Sequence, residues 1–190
     1  MSLVVDKIKA VEESDEVGSD SIYLIAFQGR TVAPFNSGMH SVGPGSAWGD
    51  FDTGETVNTD VRLASTHSDG VYAVMMVEMD SSKDIQGSEV IGAWRAQTDL
   101  VWKSIMLSLV TGGISTGTEA AKSAGFAGIQ NALNGLASIY MSFPKGNDDV
   151  IDVKRITITQ PGQFQTIRFR SPSDKEDATY DVTFKQTTAA

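Results

Sequence analysis

The sequence predicts a mainly β chain, an antiparallel β-sandwich interrupted by an α-helical hairpin. Short segments rich in Val, Ile, Tyr and Phe lie at both ends of the chain, separated by turn signals. The middle changes to a helical period. The order is therefore strands, helices, strands, whereas a parallel α/β fold would alternate the two throughout. With 190 residues, 41% hydrophobic and 21% charged, the chain fits a single domain spanning 1–190, with the helical insertion at about 88–144.

Residues 3–11 and 21–27 read as the first two strands, joined through an acidic turn that contains Gly18. The stretch 28–56 is rich in glycine and proline and is expected to hold one short strand, around Ala47 to Phe51. Alternation is clearest at 57–63, where Val57, Thr59, Val61 and Leu63 face one way and Asn58, Asp60 and Arg62 the other. After the turn His67-Ser68-Asp69-Gly70, the run VYAVMMVEM at 71–79 reads as a strand buried on both faces. Ser88 can cap a helix in which Ile91, Trp94, Val101, Ile105 and Leu109 recur at helical spacing. Thr116 with Glu119 has the spacing of a capping box and opens a second helix that runs to about Ser142. Strands resume at 150–159, 164–170 and 179–187. No internal repeat is visible.

Composition excludes several functions. The 24 acidic against 15 basic residues, a net charge of −9, argue against a partner with a phosphate backbone, which needs clustered Lys and Arg. Without cysteine there is no disulfide, thiolate nucleophile or thiolate metal site, and two histidines are too few for an all-histidine zinc site. His40 falls in the glycine-rich stretch and His67 in a turn, and both read as exposed turn residues. The N-terminus lacks the charged-then-apolar run of a signal peptide, which leaves the cytoplasm as default and export by another route open.

The charge is unevenly placed. Residues 1–103 hold 16 acidic and 7 basic groups, residues 104–144 one of each, and residues 145–190 seven of each. The acids bunch at 12–20, 50–55, 78–84, 148–152 and 174–177. In an antiparallel sandwich alternate loops share an end. If 47–51 is a strand, the loops at 12–20, 52–56 and 80–88 share one end. The hairpin leaves from that end, and if it returns there, 148–152 and 171–178 join them. Carboxylates gathered in this way repel one another unless a cation lies between them, and calcium suits flexible loop oxygens.

Asp15-Glu16-Val17-Gly18-Ser19-Asp20-Ser21-Ile22-Tyr23, entering a strand, resembles the first calcium loop of the C2 domain, a calcium- and phospholipid-binding β-sandwich. It lacks the family's proline and carries one extra residue before the tyrosine. Val77-Glu78-Met79-Asp80, after a buried strand, is similar to the first half of the family's third loop, with Glu for the first Asp. Asn147-Asp148-Asp149-Val150-Ile151 resembles the second half, with Asp152 at the usual glycine; Asp84-Ile85-Gln86-Gly87 is a looser copy. The resemblance implies a third loop split by the hairpin, calcium as the bound ion, and Asp15, Asp20, Glu78, Asp80 and Asp149 as ligands. It also implies lipid or protein partners, although the hairpin stands where a membrane-facing loop would be.

Between Lys103 and Lys145 only Glu119 and Lys122 are charged, and Ala124, Gly128 and Ala132, like Ala121 and Gly125, fall at four-residue spacing. Such a small face lets another helix approach closely. The expected arrangement packs the hairpin on the sandwich or on a second subunit. The alternatives are a membrane-inserting, pore-forming or toxin-like effector and a self-assembling structural protein. Catalysis is not expected. Gly113-Ile114-Ser115-Thr116-Gly117 fits G-x-S-x-G, but a nucleophile elbow needs a strand before its serine.

Overall fold

A computed structural model describes residues 1–12, 20–42, 48–78, 87–141, 149–158, 160–171 and 178–188. Its strands are β1 (Ser2–Glu12), β2 (Asp20–Arg30), β3 (Ser37–Val42), β4 (Trp48–Phe51), β5 (Thr56–Ser65), β6 (Gly70–Glu78), β7 (Asp149–Ile156), β8 (Phe164–Arg170) and β9 (Thr179–Thr187). Two helices, α1 (Gly87–Thr111) and α2 (Glu119–Met141), separate β6 from β7. The chain is mainly β, with two antiparallel sheets. One sheet has the order β5-β1-β9-β8, the other β3-β2-β6-β7.

β3 is an element the sequence reading leaves out. Glycine and serine break its apolar pattern, so that only Met39 and Val42 are buried. It pairs with Leu24 to Gly29 of β2, while β4 pairs with Asp20 and Ile22 farther along the same strand. The two run in line, as one interrupted strand against β2, and each sheet is thus four strands wide. Because β3 and β4 share a direction, the extra element leaves the assignment of loops to ends unchanged.

The sandwich interior collects Leu3, Val5 and Ile8 of β1, Ile22 and Leu24 of β2, Val74 and Met76 of β6, and Tyr180, Val182 and Phe184 of β9. A second core lies on the other side of the β2–β6–β7 sheet, where Ile25, Phe27, Val71, Ala73, Met75 and Val153 meet Trp94, Trp102, Met106, Ile129 and Leu133 of the helices. This explains the run VYAVMMV. Alternate residues of β6 face different cores, so the strand is apolar throughout although antiparallel.

The hairpin therefore forms a third layer. It leaves the sheet at the acidic end but lies along the sheet face rather than standing at that end as a loop. Trp102 donates Nε1–H to the Arg30 carbonyl at 3.1 Å. The small face of α2 is used within the chain: a Cβ on Gly125 would stand 2.8 Å from Met106 Cε, and one on Gly128 2.7 Å from Ile105 Cδ1. The cap of α2 is also displaced from the expected position. Thr118, not Thr116, accepts from the Ala121 amide at 3.2 Å, because Gly117, with φ at 74°, turns the chain one residue before it.

Candidate functional site

Three of the five expected ligand positions are brought to one end of the β2–β6–β7 sheet. Glu78, the last residue of β6, is the register partner of Asp149, the first of β7, and of Ile22 on β2. Asp20 opens β2 two residues before Ile22. Antiparallel partners stand about 5 Å apart and successive residues about 3.4 Å along a strand, which places the Cα atoms of Asp20 and Asp149 within about 8 Å of that of Glu78. Asp15 and Asp80 lie outside the described residues, as do the loops 13–19, 79–86 and 142–148 that adjoin this end. Among the described residues, no group of three or more His, Cys, Asp or Glu that could hold a metal is gathered.

Glu78 is buried, with 6% of its surface exposed, at a strand end where a glutamate would ordinarily reach into water. The turn after β4 belongs to the same end. Gly54, with φ at 90°, donates to the Ala10 carbonyl at 2.8 Å, and Ala10 donates to the Glu55 carbonyl at 3.0 Å. Phe51 is the register partner of Asp20, so the exposed Asp52 follows directly beside the candidate ligands. Asp52 was not among the expected ligands; its place after a strand that pairs with Asp20 is the signal for it. Asp152 is separated from them. It lies opposite Met76, and its carboxylate takes the Lys154 ammonium at 2.6 Å and the Val153 amide at 2.8 Å.

The opposite end is held by paired charges. Asp69, 8% exposed, accepts from Arg30 Nε at 2.8 Å. Burial pushes the Asp69 carboxyl up, but the hydrogen bond and charge of Arg30 outweigh it and leave it below the ordinary carboxylate range. Tyr72 Oη, raised by burial, accepts from the His67 amide at 2.6 Å. Arg30, His67 and Tyr72 border a polar cleft of about 180 Å³ that also includes Gln28, Asn36 and Ser37.

The histidines divide. His67 is exposed in its turn, as expected. His40 is not a turn residue: it belongs to β3, is half-buried, and its Nε2 meets the Leu63 carbonyl across to the other sheet. Burial, then Arg95 and Arg62, lower its pKa below the ordinary imidazole value. Gly113 to Gly117 joins α1 to α2, where Ile114 donates to the Leu109 carbonyl at 2.9 Å. With a helix before the serine, the strand that a nucleophile elbow requires is missing. Compared with known proteins, the chain matches no family model, no curated protein and no solved structure.

Proposed function

We propose that this protein is a non-enzymatic calcium-binding β-sandwich module resembling a C2 domain, with the ion held by carboxylates at the end where β1, β4, β6 and β8 finish. The observation that carries this reading is the register: Glu78 and Asp149, far apart in the sequence, are direct neighbours, and Asp20 opens the adjacent strand. The donor set is oxygen only, which suits calcium at 2.3–2.6 Å with six to eight ligands better than a metal that prefers nitrogen or sulfur. Asp15 and Asp80, the other two expected ligands, complete the set in this reading.

The ion has a defined mechanical effect in this reading. The segment 79–86 leads from Glu78 into α1, and 142–148 leads from α2 to Asp149. A cation shared by these segments cancels their repulsion and ties both roots of the hairpin to the sheet. The partner is then a lipid or protein surface met by the calcium-ordered loops. Packing of the hairpin over the sheet favours this role over the membrane-inserting alternative, and no described helix is long and apolar enough to cross a membrane.

A thermal melt in chelator and then in millimolar calcium tests the proposal. At a hundred times the dissociation constant, mass action adds about 2.7 kcal/mol, which for a domain of this size is roughly 5–10 °C. Magnesium should give a much smaller shift. Asp80→Asn combined with Asp149→Asn should abolish the response to calcium. An unchanged melting temperature in calcium overturns the reading.

A further inference from the structure

We propose that the outer face of the helical hairpin is the interface of a symmetric dimer, its occupant a second copy of this chain. Of the seven large hydrophobic residues exposed among the described residues, four are on α1: Leu100, Val101, Leu107 and Val110. Leu100 is 68% exposed and Leu107 56%. Seven residues apart, they share one stripe, on the side of the helix away from the buried Trp102. A single exposed leucine is ordinary, but a stripe beside an apolar groove is the pattern of a contact surface.

The groove has a structural cause. The two helices touch where Gly125 and Gly128 admit Met106 and Ile105, whereas nothing lies within 4 Å of a Cβ placed on Gly135. At Gly135 the space between the two helices is open. They leave a trough of about 440 Å³ lined by Gln97, Leu100, Val101, Ala132, Gly135 and Leu136. Leu100 stands on its rim, so each copy carries both a projecting side chain and a recess. A two-fold axis through the face satisfies both at once, as an isologous contact requires.

Charge favours a second copy on this face over one on the acidic remainder. The chain carries −9, and two copies meeting through most of their surfaces would repel. Within 87–141 the charged residues Glu89, Arg95, Asp99, Lys103, Glu119 and Lys122 cancel. Lys103 is paired with Asp99 and Lys122 with Glu119, both at 2.6 Å. The hairpin thus adds no net charge of its own, and two such acidic molecules repel least where they meet through it. Its size is adequate. Two antiparallel helices of this length present an area of roughly 700 Å² per copy, close to the ~800 Å² per partner of a stable interface.

The test is molar mass by light scattering and sedimentation equilibrium over micromolar concentrations. The native chain should show twice its 20.3 kDa mass. Leu100→Glu, which sets like charges across the axis, and Gly135→Leu, which fills the recess, should each return the monomer mass with an unchanged circular dichroism spectrum. Phe164→Glu, an exposed apolar residue on β8, should leave the dimer intact. Leu107→Glu provides a second variant on the stripe should Leu100→Glu misfold. A native monomer at every concentration overturns the proposal, as does a dimer that survives all the hairpin substitutions. Leakage of anionic or neutral vesicles caused by the native protein and lost in Leu100→Glu would also overturn it, by assigning the face to lipid.

Discussion

Replacing Gly29 by alanine tests the docking of the hairpin on the sheet. Gly29 lies in β2 directly beneath the indole of Trp102. An added Cβ would overlap Trp102 Cε2 most closely and would stand 2.7 Å from Cζ2 and 2.8 Å from Cδ2. Carbon atoms rest at about 3.5 Å, so the ring must retreat by about an ångström. Trp102 has no room for this. It is fully buried, donates to the Arg30 carbonyl, and packs edge-on to Phe27 with ring centroids 5.4 Å apart. Overpacking costs about 1–3 kcal/mol, the hydrogen bond about 1 and the aromatic pair about 0.5–1.5. Against these, alanine in a strand gains about 0.5–1 kcal/mol over glycine. The expected net loss is about 2–4 kcal/mol, read from urea unfolding followed by far-ultraviolet circular dichroism. In a Trp102→Leu background the clash is gone, and Gly29→Ala should cost nothing or stabilise slightly. The coupling between the two positions should therefore exceed about 2 kcal/mol. An equal penalty in both backgrounds, or no penalty in either, would refute the contact.

Two other perturbations have definite expected outcomes. Arg168 holds Asp181 through Nε and Nη2, both at 2.8 Å, and this hydrogen bonding keeps the Asp181 carboxyl below its ordinary value. A depressed carboxyl contributes stability above its unfolded pKa of about 3.9 and loses it as pH falls through the folded value. The difference in urea midpoint between the native chain and Asp181→Asn should thus be constant from neutral pH to about pH 5 and should shrink below about pH 4; a gap independent of pH contradicts the pairing. Replacing residues 83–146 by a short Gly-Ser linker exposes Ile25, Phe27, Val71, Ala73, Met75 and Val153 on one sheet face. At about 1.5–3 kcal/mol for each large side chain, the loss is comparable to the whole stability of a typical domain. The shortened chain should aggregate or bind a hydrophobic dye, and a folded, soluble monomer would show that the second core is dispensable.

Much of the β framework is legible in the sequence because half-buried strands alternate, as β5 does from Val57 to Leu63. Register is not legible, since it depends on pairings between distant segments. That Glu78 meets Asp149 follows from β6 pairing with β7 across the entire hairpin. β3 escapes notice because Ser37, Gly38, His40 and Ser41 give it the composition of a loop, and its strand character comes from its partner β2. The small face of α2 is legible as a contact surface, but its occupant is not: α1 fills it, through Met106 and Ile105. The candidate ligands are partly legible. The motifs single out Glu78 and Asp149, whereas Asp52 is legible only as part of a loop at the same end, and its place beside Asp20 comes from the pairing of β4 with β2.

The two helices also alter how the chain can reach its native topology. Pairing of β6 with β7 must close a connection that runs from residue 79 to residue 148, and slow, non-local closure of this kind usually limits the folding of β proteins. Contacts between α1 and α2 are local by comparison, and once formed they bring residues 87 and 141 near each other. The lengths of chain left to close are then 79–86 and 142–148. In closure entropy this shortening is worth roughly 1.4 kcal/mol. The hairpin thus acts as an internal splint, which lets a late strand find its partner almost as readily as if the helices were absent.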